Sequence, residues 1–185
     1  VYNLDASLVL RASTVGGSNQ AAQGGGVALF DGGTATIVNA TVSGNIATQE
    51  GAGIYCDTRA PTSGACFTAT NVTIAKNVSQ GGGGGGGVFT AVGALAPAVT
   101  TSVLADNSPD DCAGTLGTGA PNLVETVGSC PTVAAWIVGQ DPLLGALAAN
   151  GGMTQTHALG EDSPALAAAD LATCGPQDQR SAPRG

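Results

Sequence analysis

The sequence predicts an all-β protein, a right-handed parallel β-helix (solenoid) with an irregular C-terminal cap, and three observations carry that expectation. Short runs of alternating apolar and polar residues recur every 27 to 34 residues. Glycine and asparagine stand between the runs. The apolar residues are overwhelmingly Ala, Val, Leu and Ile, with aromatics only 3% of the chain. Small and β-branched side chains suit a narrow, tightly stacked β interior.

The repeat is legible residue by residue. Ala35-Thr-Ile-Val-Asn-Ala-Thr-Val-Ser-Gly-Asn45 aligns on its last Asn with Ala69-Thr-Asn-Val-Thr-Ile-Ala-Lys-Asn77, so Thr41-Val42 falls over Thr73-Ile74, 32 residues on. Thr101-Ser-Val-Leu-Ala-Asp-Asn107 follows at 30, and Thr14-Val15 precedes Thr41-Val42 at 27. A second element reads Gly24-Gly-Gly-Val-Ala-Leu-Phe30, Gly51-Ala-Gly-Ile-Tyr55 and Gly85-Gly-Gly-Val-Phe89. The alternation is that of a strand. The spacing is too long for a hairpin meander and too short for crossovers through full helices, so it predicts several short parallel strands per coil. One coil cannot bury its own apolar edge; stacking would bury Val42 on Ile74 on Leu104.

Asn45, Asn77 and Asn107 fall at one equivalent turn. Asn tolerates the left-handed backbone of a tight turn. At the strand spacing of about 4.8 Å their amides can hydrogen-bond up the stack as a turn ladder. Coils are expected over residues 1–140 and the cap over residues 141–185.

The charge balance removes some functions. Five Lys and Arg stand against 13 Asp and Glu, a net charge of −8. Nucleic-acid binding rests on cationic contacts to phosphate, so no nucleic-acid partner is expected. No apolar run is long enough for a transmembrane helix. Hydrophobic residues make up 43% of the chain, too many for an acidic disordered polymer. The chain has five cysteines. Cys56 and Cys66 bracket one Pro/Ser/Gly insertion and Cys112 and Cys130 bracket another, so two local disulfides are the economical pairing, with Cys174 left over. Disulfides imply an oxidising, secreted or cell-surface setting.

At these residues the chain resembles bacterial secreted and surface right-handed parallel β-helix proteins, including those with repeats of the polymorphic outer-membrane-protein type. The Gly-Gly-aliphatic and Ser-Gly-Asn elements carry part of the likeness. The rest lies in Asp141-Pro-Leu-Leu-Gly145, Asn150-Gly-Gly-Met-Thr-Gln-Thr-His-Ala-Leu159, Asp162-Ser-Pro-Ala-Leu166 and Asp178-Gln-Arg180, which are similar to the closing segment of such proteins. The resemblance also supports the Cys112–Cys130 pairing, through Asp111-Cys-Ala-Gly114 and Asn122-Leu123. It implies that Cys174 finds its partner beyond Gly185. It is specific for fold and says little about activity.

Enzyme chemistry finds little support. Asp110-Asp111 is the only adjacent carboxylate pair, and it reads as a solvated turn. Glycoside hydrolysis needs two carboxylates flanking the scissile bond, and the companion motifs of polygalacturonases are absent. His157 is the sole histidine and has no sequence-adjacent partner, so it is expected to hydrogen-bond the closing structure. Trp136 is expected to cover the last coil. The run Gly81–Gly87 lacks the Lys-Ser/Thr of a phosphate loop and reads as a flexible bulge. Asn39, Asn71 and Asn77 match glycosylation acceptors, but strand and ladder positions are expected instead. No catalytic residue, metal or cofactor is assigned. The function expected is an extracellular structural or adhesive module, self-associating through its ends or meeting surface glycans or other extracellular proteins. The alternative is a carbohydrate-active enzyme of the pectate lyase or polygalacturonase kind.

Overall fold

A computed structural model describes residues 1–59, 64–117, 121–170 and 172–184. Residues 60–63, the centre of the insertion between Cys56 and Cys66, lie outside the described residues. Among those described there are 18 strands, numbered β1 to β18 in chain order, and no helix.

Sixteen of the strands form three parallel sheets. The first stacks β1 (Tyr2–Leu4), β5 (Val27–Asp31), β8 (Ile54–Thr58), β11 (Val88–Thr90) and β14 (Cys112–Ala113) in that order. The second, and largest, begins with β2 (Ser7–Arg11) and β3 (Thr14–Gly16), both paired to β6 (Thr34–Ser43). It continues through β9 (Phe67–Ala75), β12 (Ala98–Thr100) with β13 (Val103–Ala105), β15 (Leu123–Val124) and β16 (Ile137–Val138). The third is a narrow ladder of β4 (Gln20–Ala21), β7 (Ile46–Ala47) and β10 (Val78–Ser79). The remaining two strands, β17 (Leu144–Ala148) and β18 (Thr156–Leu159), form an antiparallel hairpin.

From Val15 to Leu104 the register of the large sheet is the one the repeat predicts, and two further strands continue it. Val15 pairs with Val42, Val42 with Ile74, Ile74 with Leu104, Leu104 with Val124 and Val124 with Val138. In the first sheet Val27 pairs with Ile54 and Ile54 with Val88. All of these but the exposed Val138 belong to or pack against one buried cluster, in which Val27, Ile54 and Val88 from one sheet meet Ile37, Val42, Ile74 and Leu104 from the other. Each such aliphatic side chain removed from water contributes roughly 1.5–3 kcal/mol. Asn39 and Asn71 sit in mid-strand with φ of 49° and 56°, bending β6 and β9 at the same level. Both are therefore strand-bend positions, which Asn accommodates better than most residues.

Four of the chain's six Phe, Tyr and Trp side chains form a single column on the first sheet. Tyr2, Phe30, Tyr55 and Phe89 succeed one another at ring-centroid steps of 5.1, 5.2 and 5.6 Å. The Tyr55 and Phe89 ring planes are nearly parallel, 3° apart, so they stack face on face.

The glycines need one correction. Gly81–Gly87 is not a simple flexible bulge, because Gly84, Gly85, Gly86 and Gly87 are buried. A Cβ on Gly26 would meet the Gly53 carbonyl oxygen at 2.6 Å, one on Gly53 would strike that of Gly87, and one on Gly87 that of Asp111. The glycine in the third position of each Gly-x-Gly element is there because successive chains approach too closely for any side chain.

Candidate functional site

The turn asparagines form a continuous hydrogen-bonded column. Asn45 Nδ2 donates to Asn77 Oδ1 at 2.9 Å, and Asn77 Nδ2 donates to Asn107 Oδ1 at 2.9 Å. The backbone N–H of each of Asn45 and Asn77 donates to the same oxygen of its neighbour. Each second amide hydrogen goes to a backbone carbonyl, of Val15, Val42 or Ile74. Asn45 and Asn77 are fully buried, so an unmade bond would leave a costly orphan. The glycine column explains the space they occupy: a Cβ on Gly26, Gly53 or Gly87 would lie 2.9–3.0 Å from Nδ2 of Asn45, Asn77 and Asn107 respectively.

Two members of the column were not legible in the sequence. Asn19 Nδ2 donates to Asn45 Oδ1 at 2.8 Å and starts it. Asp111 ends it, accepting from Asn107 Nδ2 at 2.8 Å, from Asn107 N at 3.2 Å and, on its other oxygen, from Thr126 N at 2.6 Å. The expectation of a solvated Asp110-Asp111 pair is corrected here. Asp111 is fully buried, and Asp110 accepts from Gly85 N at 2.6 Å. The last asparagine needs an acceptor above it, and a carboxylate supplies one without adding a donor. Burial pushes the Asp111 carboxyl above the usual range; its three hydrogen bonds work in the other direction and the nearby Glu125 charge adds to the rise.

The C-terminal segment packs against the outer side of the large sheet, on side chains of β3, β6 and β9. His157 Nδ1 donates to the Gly145 carbonyl at 2.7 Å, and Nε2 pairs with Ser43 Oγ at 2.8 Å. Gln179 is the hub of the seam. Its Oε1 accepts from Thr41 Oγ1, and its two amide hydrogens are shared among Ser13 O, Thr14 Oγ1, Thr154 Oγ1 and Gln155 O at 2.9–3.2 Å. Asn39 Nδ2 donates to the Gln177 carbonyl, and Thr14 Oγ1 to that of Gln155. Outward-facing Thr and Ser of β3 and β6 offer hydroxyls that only polar partners can satisfy, which draws this polar segment onto them.

A cleft of about 470 Å³ remains between that segment and the sheet. Its sheet wall carries Asn71, Thr73 and Thr101; its other wall carries Leu144, Leu159, Leu166, Asp178, Arg180 and Arg184. Arg180 is neutralised by Asp178, 2.6 Å away. Burial opposes ionisation of Asp178, but the Arg180 side chain, the backbone N–H groups of Ala182 and Arg180, and the Arg180 charge outweigh it and hold the carboxyl below its usual range. Arg184 donates to the Gln177 carbonyl and to Asn39 Oδ1, and has no carboxylate partner among the described residues.

The cysteines pair as their spacing predicts, with Cys56 bonded to Cys66 and Cys112 to Cys130. Cys174 is a free thiol beside the cleft, with Sγ 3.5 Å from Asn71 Oδ1. Trp136 is buried in the core cluster just before β16, the last strand of the large sheet. No group of metal-ligating side chains occurs among the described residues. Among the described residues no helix is long and apolar enough to cross a membrane.

These features define an all-β protein of parallel sheets, cross-linked by two disulfides and threaded by an amide column, with a cleft under its C-terminal segment. No protein-family model, curated protein or solved structure matches the chain.

Proposed function

We propose that the chain is a right-handed parallel β-helix acting as an extracellular structural or adhesive module. The observation that carries the reading is the unbroken register of the large sheet, in which Val15, Val42, Ile74, Leu104, Val124 and Val138 succeed one another in parallel strands. Parallel crossovers within one sheet are right-handed in nearly all known cases, which supports the handedness. The polar groups that the sequence could offer for chemistry are spent on structure: Asp111 ends the column and His157 pins the C-terminal segment. Two disulfides fit an oxidising, extracellular setting. The edge strands β1 and β2 each have one neighbour and offer unpaired backbone groups to another copy.

Light scattering on size-exclusion fractions, with electron microscopy of the same material, tests this reading. Ordered polymers support the structural form. A monomer that binds glycans or extracellular proteins in an array supports the adhesive form. A monomer that binds neither overturns both.

A further inference from the structure

We infer that the cleft beneath the C-terminal segment binds a single carboxylate-bearing sugar at the end of a glycan. The inference rests on the adhesive form of the function proposed for the chain and names its ligand.

The argument starts from charge. The chain has only five Lys and Arg residues against 13 carboxylates. Two of the five, Arg180 and Arg184, line this one cleft, with Asp178 as the only carboxylate side chain among its described lining residues. Arg180 and Asp178 cancel each other at 2.6 Å. That leaves the half-buried Arg184 as an uncompensated cation among the described residues. Asn39 and the Gln177 carbonyl fix its plane by taking two of its donors, at 3.1 and 3.3 Å. The open donors of a fixed guanidinium match a planar carboxylate in a forked geometry.

The rest of the lining selects the body of the ligand. On the sheet wall, Thr73 Oγ1 and Asn71 Nδ2 make no hydrogen bond within the described chain, so both can meet sugar hydroxyls. Opposite them, Leu144, Leu159 and Leu166 offer an aliphatic surface to the C–H face of a pyranose ring. A volume of about 470 Å³ falls within the usual range for small-molecule sites. The net charge of −8 repels a long polyanion, which favours one acidic residue over a polyuronate chain.

The test is titration of the whole protein with sodium D-galacturonate, D-galactose and sodium acetate, monitored by heteronuclear NMR. Galacturonate is expected to saturate, with shifts at Arg184 Nε and the Asn71 side-chain amide. Galactose lacks the carboxylate and acetate lacks the ring, so each is expected to bind about tenfold or more weakly. Arg184→Gln is expected to weaken galacturonate by about tenfold, Thr73→Val to weaken it less, and Arg59→Gln, outside the cleft, to leave it unchanged. If Arg184→Gln fails to fold, the wild-type shifts and Thr73→Val decide. No saturation by galacturonate, equal binding of galactose or acetate, or shifts confined to residues outside the cleft would each overturn the inference. Array binding to other glycans or proteins would still support the adhesive reading, so the two can fail separately.

Discussion

Asn107 hands its side-chain amide to the Asp111 carboxylate at 2.8 Å, so a column of neutral amides ends on an ionisable acid. Asp111 lies only four residues beyond Asn107. It reaches the column from the next turn of chain and not from the equivalent turn of a further repeat.

Replacing Asp111 by Ala removes the acceptor for Asn107 Nδ2, Asn107 N and Thr126 N together. Each buried donor left unpaired costs about 1–3 kcal/mol. Urea denaturation of Asp111→Ala is expected to give a loss of at least about 2 kcal/mol. Asp110→Ala, which gives up one contact to Gly85 N, is expected to lose less. Equal losses would refute the special position of Asp111.

The glycine column gives a sharper contrast. In Gly53→Ala the new methyl group meets the Gly87 carbonyl and approaches Asn77 Nδ2 at 3.0 Å. Overpacking of this kind costs about 1–3 kcal/mol. Gly82→Ala meets nothing within 4 Å and is expected to stay within about 0.5 kcal/mol of wild type. Thermal denaturation of the pair checks this; a tolerant Gly53 would mean that adjacent chains can separate.

Two carboxylates are expected to respond to pH in opposite senses. The folded-state carboxyl of Asp111 is raised by burial, so its contribution is fully present below the unfolded pKa and is lost as pH rises through the folded one. That of Asp178 is lowered, with the Arg180 bond and charge outweighing burial, so its contribution is present above the unfolded pKa and is lost as pH falls through the folded one. The stability difference between wild type and Asp111→Asn should shrink from acid towards neutral pH. The difference between wild type and Asp178→Asn should shrink on acidification. Parallel denaturation series across pH read both, and two curves of the same sign would contradict the assignment.

Removing either disulfide should cost roughly 3 kcal/mol, through the freedom regained by the unfolded chain. Cys56→Ser/Cys66→Ser and Cys112→Ser/Cys130→Ser, each compared by melting temperature, provide the measurement. Mass spectrometry of the unreduced wild type should find Cys174 as the single alkylatable thiol of the chain.

The seam of the C-terminal segment is expected to open when its hub is cut. Gln179→Ala removes the contacts to Thr41, Thr14 and Ser13 while leaving every strand pair of the sheets untouched. Hydrogen exchange should rise in β17 and β18 and stay unchanged in β6 and β9. Unaltered exchange in the hairpin would mean that His157 and Thr14 hold it alone.

Much of this architecture was legible because parallel stacking sets equivalent residues side by side. Thr41 over Thr73 and Ile54 over Val88 come directly from aligning the repeats. The ends of the amide column were harder. Asn19 comes after Gly17-Ser18 where Asn45 comes after Gly44 alone, so the first turn carries an extra residue and the alignment slips. Asp111 differs in residue type and in origin. The lateral docking of the C-terminal segment left no periodic trace, because it rests on single polar side chains such as Gln179, Ser43 and Asn39, which join points more than 100 residues apart. The cleft arises from that docking and was equally invisible.

The amide column has a direction, since every side chain from Asn19 to Asn107 donates towards Asp111, and each from Asn45 onwards accepts from the turn behind it. Asn45 and Asn77 are interchangeable links, each taking a bond from one neighbouring turn and giving one to the other. Gene duplication could therefore insert or excise one repeat between them, in frame, and leave every junction chemically unchanged. Only the terminal acid has to be kept, so the length of such a chain can drift over evolutionary time while its stop signal stays fixed.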